Sequence, residues 1–265
     1  MLIIIAGMQL YIAAQKNCKS DLVIENESIK RAVEISMNDY CLTKEEALSV
    51  KVLDLSSGVD LQSFKELDCF ENVETITFDN SKIKSFSGIE DLHNLKTLSI
   101  KESTIKSVSE LKNLKLRQLE IVDCLLLGTV NLGKMQYLET LNLSDNLISV
   151  MKGNYPNLKV LKLNNNDIAD INDIEMPITI EELHISGNRL TSLEGIQKYD
   201  SINKLNITRM DLDNCDPIKN LESLNALYID KDDMNSSLDY LFDNFRNGDY
   251  DRKKEYISRQ YQIEE

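Results

Sequence analysis

The side chains best suited to chemistry are few and scattered along the chain. His93 and His184 are the only two histidines, and no Gly-rich phosphate loop, zinc-spaced ligand set or nucleophile elbow accompanies them. General acid–base or nucleophilic catalysis has little to work with, so no enzyme is expected. Five cysteines, Cys18, Cys41, Cys69, Cys124 and Cys215, contain no C-x-x-C pair, and the odd count leaves at least one unpaired. They imply neither a zinc site nor a disulfide framework and fit the usual fate of a free cysteine, burial as a small hydrophobe. One stretch gathers hard oxygen ligands: Asn164-Asn165-Asn166-Asp167, followed by Asp170, Asn172 and Asp173. Its spacing is not that of an EF-hand loop and Asn166 falls in a backbone-satisfying column, so no metal and no other cofactor is expected.

The charge balance, which simple solubility also explains, bears on the class of partner. The 30 basic and 44 acidic residues leave a formal charge of −14, which repels phosphate backbones and anionic membranes and steers basic partners inward. Nucleic acid is disfavoured and a basic protein favoured. With 42% hydrophobic and 28% charged residues, the 265-residue chain can bury one substantial, elongated folded unit and lies far from a disordered composition. Residues 1–20 open with an apolar run resembling the core of a secretory signal, and Ile12-Ala13-Ala14 fits a small-residue cleavage site, although no Lys or Arg precedes the run. The run is too short to span a bilayer as a helix. Secretion or surface association is the expectation, with a cytoplasmic location as the alternative.

What must position any binding residues is a repeat. Leu53, Ile76, Leu98, Leu119, Leu141, Leu161, Leu183, Leu205 and Leu227 recur every 20 to 23 residues. Each is preceded by three positions, and followed by two, by another aliphatic or aromatic residue, from Val50 and Leu55 to Leu224 and Ile229. Three apolar columns held in phase over some nine turns define a leucine-rich repeat. A short strand turns alternate side chains inward, and no single turn can bury them without its neighbours, so the strands must stack. Three positions after the last column come Gly58, Ser81, Ser103, Cys124, Asn146, Asn166, Asn188 and Met210, small or polar residues suited to the orphan backbone groups of a bend. Ile83, Ile105, Leu126, Ile148, Ile168, Leu190 and Leu212 then return inward. The remaining span is short, with room for irregular or 3₁₀ turns but little helix.

The fold class expected is an α/β leucine-rich-repeat solenoid, with a curved parallel sheet on its concave face and short convex segments. A helical cap occupies 21–49, the array 50–231 and a second helical cap 232–265. Glu27 to Met37 reads as an amphipathic helix with Ile29, Ala32, Val33 and Met37 on one face, and Thr43 to Glu46 has capping-box spacing. After the array, Leu238, Leu241, Phe242 and Phe245 lie on one helical face, and Asp249 to Tyr261 can add another helix.

The sequence resembles the bacterial internalin-like leucine-rich-repeat proteins over residues 22–230. The likeness rests on segments such as Asn94-Leu95-Lys96-Thr97-Leu98-Ser99-Ile100 and Tyr137 to Asn146, and on the linkers Ser87-Gly88-Ile89-Glu90-Asp91-Leu92 and Ser192-Leu193-Glu194-Gly195-Ile196. It implies an exposed or secreted binder; no wall-sorting signal or immunoglobulin-like domain is recognised after the repeats.

The residue between the two strand leucines of each repeat points away from the core. In the later repeats these residues are Glu120, Asn142, Lys162, His184, Asn206 and Tyr228. They are the expected partner-binding row, with Tyr228, His184 and Arg209 as anchors and Val122 and Val160 as an apolar patch. The function expected is non-catalytic binding of a protein on this concave face, with no nucleic acid, no small-molecule substrate and no integral membrane span. The alternative is an intracellular inhibitor or adaptor that occludes an enzyme or toxin.

Overall fold

The computed structural model describes residues 21–38 and 42–229, and the backbone of residues 255–256. The chain divides between Leu111 and Lys112 into two compact units. The sequence reads as one array across this point because repeats that bury their faces against immediate neighbours need no linker to mark a division.

The first unit opens with α1 (Glu27–Met37), capped by the Asn26 side chain, which accepts from the amides of Ser28 and Ile29 and so satisfies two orphan donors. Ile29, Ala32 and Val33 are buried as expected, but Met37 is only half-buried and Glu34 takes a buried place instead. Asn26 also donates to the Asp60 carbonyl, and Ser28 accepts from the Asp60 amide, which fixes the helix to the first repeat. In α2 (Lys44–Ser49) the expected capping box forms: Thr43 accepts from the Glu46 amide while the Glu46 carboxylate accepts from the Thr43 amide.

Three repeats follow, with core strands β1 (Val52–Leu55), β3 (Thr75–Asp79) and β5 (Thr97–Lys101) separated by the short β2 (Asp60–Leu61), β4 (Lys82–Ile83) and β6 (Thr104–Ile105). Pairing is parallel with Leu53 opposite Ile76 and Ile76 opposite Leu98, the register set by the apolar columns. The short strands form a second parallel set, β2-β4-β6. Ile105, expected to return inward, is only half-buried, since β6 is the outer strand of that set. The 3₁₀ turns Phe64–Leu67, Ile89–Asp91 and Ser109–Leu111 close the repeats, and Phe64 packs against Phe78 edge-on and Phe86 face-on at 5.8 and 5.4 Å.

The second unit carries the core strands β7 (Gln118–Val122), β9 (Thr140–Asn142), β11 (Val160–Lys162), β12 (Glu182–His184), β13 (Lys204–Asn206) and β14 (Ala226–Tyr228). Leu119, Leu141, Leu161, Leu183, Leu205 and Leu227 lie opposite one another in unbroken parallel register. From Val50 to Ile229 no residue of the three apolar columns is more than 5% exposed, which establishes the inward register in both units.

Where only turns are expected, two long strands appear. β8 (Leu127–Lys134) and β10 (Leu147–Asn154) pair in parallel, with register shifts after Ile148 and after Lys152. Their signal is local: buried Val130 and Leu132 alternate with exposed Thr129 and Asn131, a period of two that fits a half-buried strand. The later repeats return to 3₁₀ turns at Ile171–Asp173, Ile196–Lys198 and Asp216–Asn220. Beside β14, β15 (Glu255–Tyr256) pairs in parallel through Ala226 and Leu227. The sequence places this pair in a cap helix; as a strand it satisfies edge groups that β14 would otherwise leave open. The other residues of the expected C-terminal cap, and residues 1–20, lie outside the described residues.

Candidate functional site

Parallel pairing decides which side chains stand side by side. In the second unit it sets Glu120 beside Asn142, Asn142 beside Lys162, Lys162 beside His184, His184 beside Asn206 and Asn206 beside Tyr228. All six are half-buried, between inward leucines on either side. The expected row is thus one physical row, with neighbours about 4.8 Å apart at the backbone.

Hydrogen bonds orient the row. Asn142 Oδ1 accepts from the Ser144 amide at 3.1 Å, and Asn206 Oδ1 accepts from the Thr208 amide at 3.2 Å and the Thr208 hydroxyl at 3.0 Å. Each asparagine thereby commits its acceptor to its own strand end. Among the described residues neither side-chain nitrogen has a protein acceptor, so both remain available as donors on the outer face. Lys162 makes no ion pair among the described residues.

One strand position earlier on the same face, Glu182 joins two neighbours. Its carboxylate lies 3.3 Å from Lys204 Nζ and 3.5 Å from His184 Nε2. Partial burial works to raise the Glu182 pKa, but the hydrogen bonds and charges of Lys204 and His184 outweigh it and hold the carboxyl below its ordinary value. His184 has a side chain only 13% exposed, and this desolvation pushes its pKa below the ordinary imidazole value. The charges of Lys204 and Lys162 push the same way against the pull of Glu182. The row therefore holds a neutral imidazole at pH 7. Glu182 and Lys204 are absent from the expected site, although they belong to the column flanking it.

Arg209 is placed differently from the row. It occupies the left-handed turn position with φ 56°, where the preceding repeats carry Asp145, Asn165 and Gly187. Its guanidinium reaches back over Gly187 to Asn165 Oδ1 at 2.8 Å. A Cβ at residue 187 would collide with that same oxygen, and with φ at +65° the position favours glycine, which leaves the path open. Arg209 is thus a pre-positioned cation at the rim of the sheet.

Val122 and Val160 do not form the expected patch. They sit two strands apart and at opposite ends of them, roughly 16 Å from each other by strand spacing and rise. The oxygen-rich stretch at 164–173 is also spoken for. Asn164 accepts from the Ser186 amide, Asn166 from the Ile148 amide and Asn172 from Lys198 Nζ, while Asp167 pairs with Arg189 at 2.9 Å. Among the described residues no group of three or more His, Cys, Asp or Glu side chains could hold a metal ion. His93 is exposed in a turn of the first unit, its Nδ1 3.0 Å from the Glu90 carbonyl. Cys69 is a half-buried thiol, and burial raises its pKa to about 11.

The stacked parallel strands, the inward leucine columns and the asparagine ladder define a leucine-rich-repeat protein. No family model matches the sequence, and no curated protein matches it. Among solved structures, internalin C2 from Listeria monocytogenes aligns with 78% of this chain and 94% of its own, at 15% identity and a TM-score of 0.64. Internalin F from the same organism covers 80% of this chain and 85% of its own, at 17% identity and a TM-score of 0.41. The architecture is that of an internalin-like leucine-rich-repeat protein, and at such identities the likeness is one of fold.

Proposed function

We propose that this protein is a non-catalytic interaction module that binds a protein partner on the outer sheet face of its second unit, and that it acts in secreted or surface-associated form. The observation that carries this reading is the in-register row from Glu120 to Tyr228. It is half-buried, polar and held by a rigid ladder, so little ordering entropy is lost when a partner docks. Tyr228 and His184 supply anchors within the row and Arg209 supplies one at its rim. The overall charge of −14 favours a neutral or basic protein over nucleic acid. Among the described residues no helix is long and apolar enough to cross a membrane.

The test is affinity capture from source extract and from the extracellular fraction, with the full chain as bait. A second bait carries bulky charged residues in place of Asn142, Lys162, His184 and Asn206, and circular dichroism checks that both are folded. A protein retained by the parent and lost by the variant supports the reading; equal retention removes the site from this face. The Cys69 thiol favours a second reading, an intracellular inhibitor or adaptor kept in a reducing compartment. Mass spectrometry of the native protein separates the two: cleavage within residues 14–20 favours export, and an intact start favours the intracellular role.

A further inference from the structure

The outer row has a chemical polarity that the composition of the chain hides. The protein as a whole is strongly acidic, yet the row from Asn142 to Tyr228 carries no carboxylate and displays an ammonium and two amide NH₂ groups. Asn142 and Asn206 spend their side-chain oxygens on the backbone amides of Ser144 and Thr208, which leaves their NH₂ groups outward. Between them stand Lys162, with no ion pair among the described residues, and His184. The other acid and base of this stretch, Glu182 and Lys204, face each other at 3.3 Å and neutralise one another. The local balance is therefore one uncompensated ammonium flanked by amide donors, with Arg209 held at the rim by Asn165.

Resting on the proposal that this face binds a protein, we infer that the occupant is an extended acidic segment of that partner, with Asp or Glu carboxylates lying across the strands over Lys162 and between Asn142 and Asn206. The three strand spacings from Asn142 to Asn206 cover about 14 Å, the reach of some four extended residues. A carboxylate is acceptor-only and can take hydrogen bonds from an ammonium and an amide together, which matches the groups displayed. A basic segment would offer the two amide NH₂ groups and Lys162 only backbone carbonyls and would place like charges together. A polyanion such as nucleic acid satisfies the donors but meets the net charge of −14 over its whole length. A protein that is neutral or basic overall and carries its carboxylates locally meets both conditions.

The experiment is selection of a random peptide display library on the immobilised full chain, on Lys162→Glu and on Lys162→Gln, each checked by its thermal melt. The parent is expected to enrich peptides containing Asp or Glu. The binding of a synthetic enriched peptide should fall about tenfold or more with Lys162→Glu, less with Lys162→Gln, and should weaken as salt is raised. Enrichment of basic or neutral peptides that still depend on the row overturns the acidic occupant and leaves the binding face standing. Peptides indifferent to both Lys162 variants and to changes at Asn142 and Asn206 remove the binding face itself. Absence of acidic peptides from the selection, or displacement of them by an equal concentration of a single-stranded oligonucleotide, also overturns the inference.

Discussion

The two units solve the same problem, orphan backbone groups at the bend after each core strand, with different side chains. In the first unit serines do it. Ser81 accepts from the Val59 amide at 3.0 Å and donates to the Asp79 carbonyl, and Ser103 accepts from the Ser81 amide at 2.9 Å. In the second unit asparagines do it. Asn146 accepts from the amides of both Cys124 and Leu126, and its nitrogen lies within hydrogen-bond distance of the carbonyls of Ile121, Leu143 and Ser144. Asn166 and Asn188 repeat the pattern. Both groups accept, but a hydroxyl has one hydrogen to give and a carboxamide two, so each asparagine donates to carbonyls of its own repeat and of the one before it, where Ser81 donates only within its own. The first unit compensates with aromatic packing: Phe64, Phe70, Phe78 and Phe86 are all buried there, while no phenylalanine is among the described residues of the second. One unit leans on shape and the other on a polar ladder, and the proposed binding row stands on the ladder.

The change that breaks this contrast most severely is Leu141→Asp. An unpaired charge at a fully buried position common to neighbouring repeats should cost more than about 4 kcal/mol and melt several repeats of the second unit. Circular dichroism showing a parent-like melt would mean that the inward columns are misassigned. Next comes Phe64→Ala, which should cost about 3–5 kcal/mol, the range for emptying an aromatic site in a packed core. Chemical denaturation monitored by the remaining aromatic signals measures it, and a loss below about 1 kcal/mol would deny the phenylalanines their role.

The ladders themselves are compared by Asn166→Ala and Ser81→Ala. The first orphans the Ile148 amide and takes one of two asparagine donors from each of the Leu143 and Leu163 carbonyls, and should cost about 2–3 kcal/mol; the second orphans the Val59 amide and takes the Ser81 donor from the Asp79 carbonyl, and should cost about 1–2 kcal/mol. Equal losses in urea melts would show that the carboxamide adds nothing over the hydroxyl. The smallest effect is expected from His184→Gln and concerns pH. The folded state holds the His184 pKa below its unfolded value of 6.5, so as pH falls below that value the unfolded chain takes up a proton that the folded chain resists. His184 therefore lowers stability progressively on the acid side of 6.5 and not above it. The Gln variant should narrow the gap between melting temperatures at pH 7.5 and pH 5.5, and a wider gap would reverse the sign.

Much of the fold is legible in the chain. The leucine columns predict the parallel register down to which residues face each other, because each repeat can bury its apolar side only by aligning it with the next. Thr43 to Glu46 announces its capping box, and Asn146, Asn166 and Asn188 announce the ladder. β8 and β10 are less visible, since a short alternating run such as Thr129 to Leu132 competes with a general expectation of turns. The identity of the outer row follows from strand alternation, but the supposed patch of Val122 and Val160 does not survive the strand register: two outward valines in the same sheet need not share a neighbourhood.

What the sequence determined by itself is the periodic part, the inward columns, the bend residues and the set of side chains turned outward, because periodicity is local and repeats the same physical demand at every turn. What only the tertiary structure decided is how those outward groups divide their hydrogen bonds. Glu182 engages Lys204 and His184, Asn142 and Asn206 turn their amides out, Lys162 is left over, and Arg209 is threaded across Gly187 to Asn165. Those choices are made among partners that stacking brings together from as far as 44 residues apart in the chain. A donor's partner is settled by distance in space, which a linear pattern of residue types does not specify.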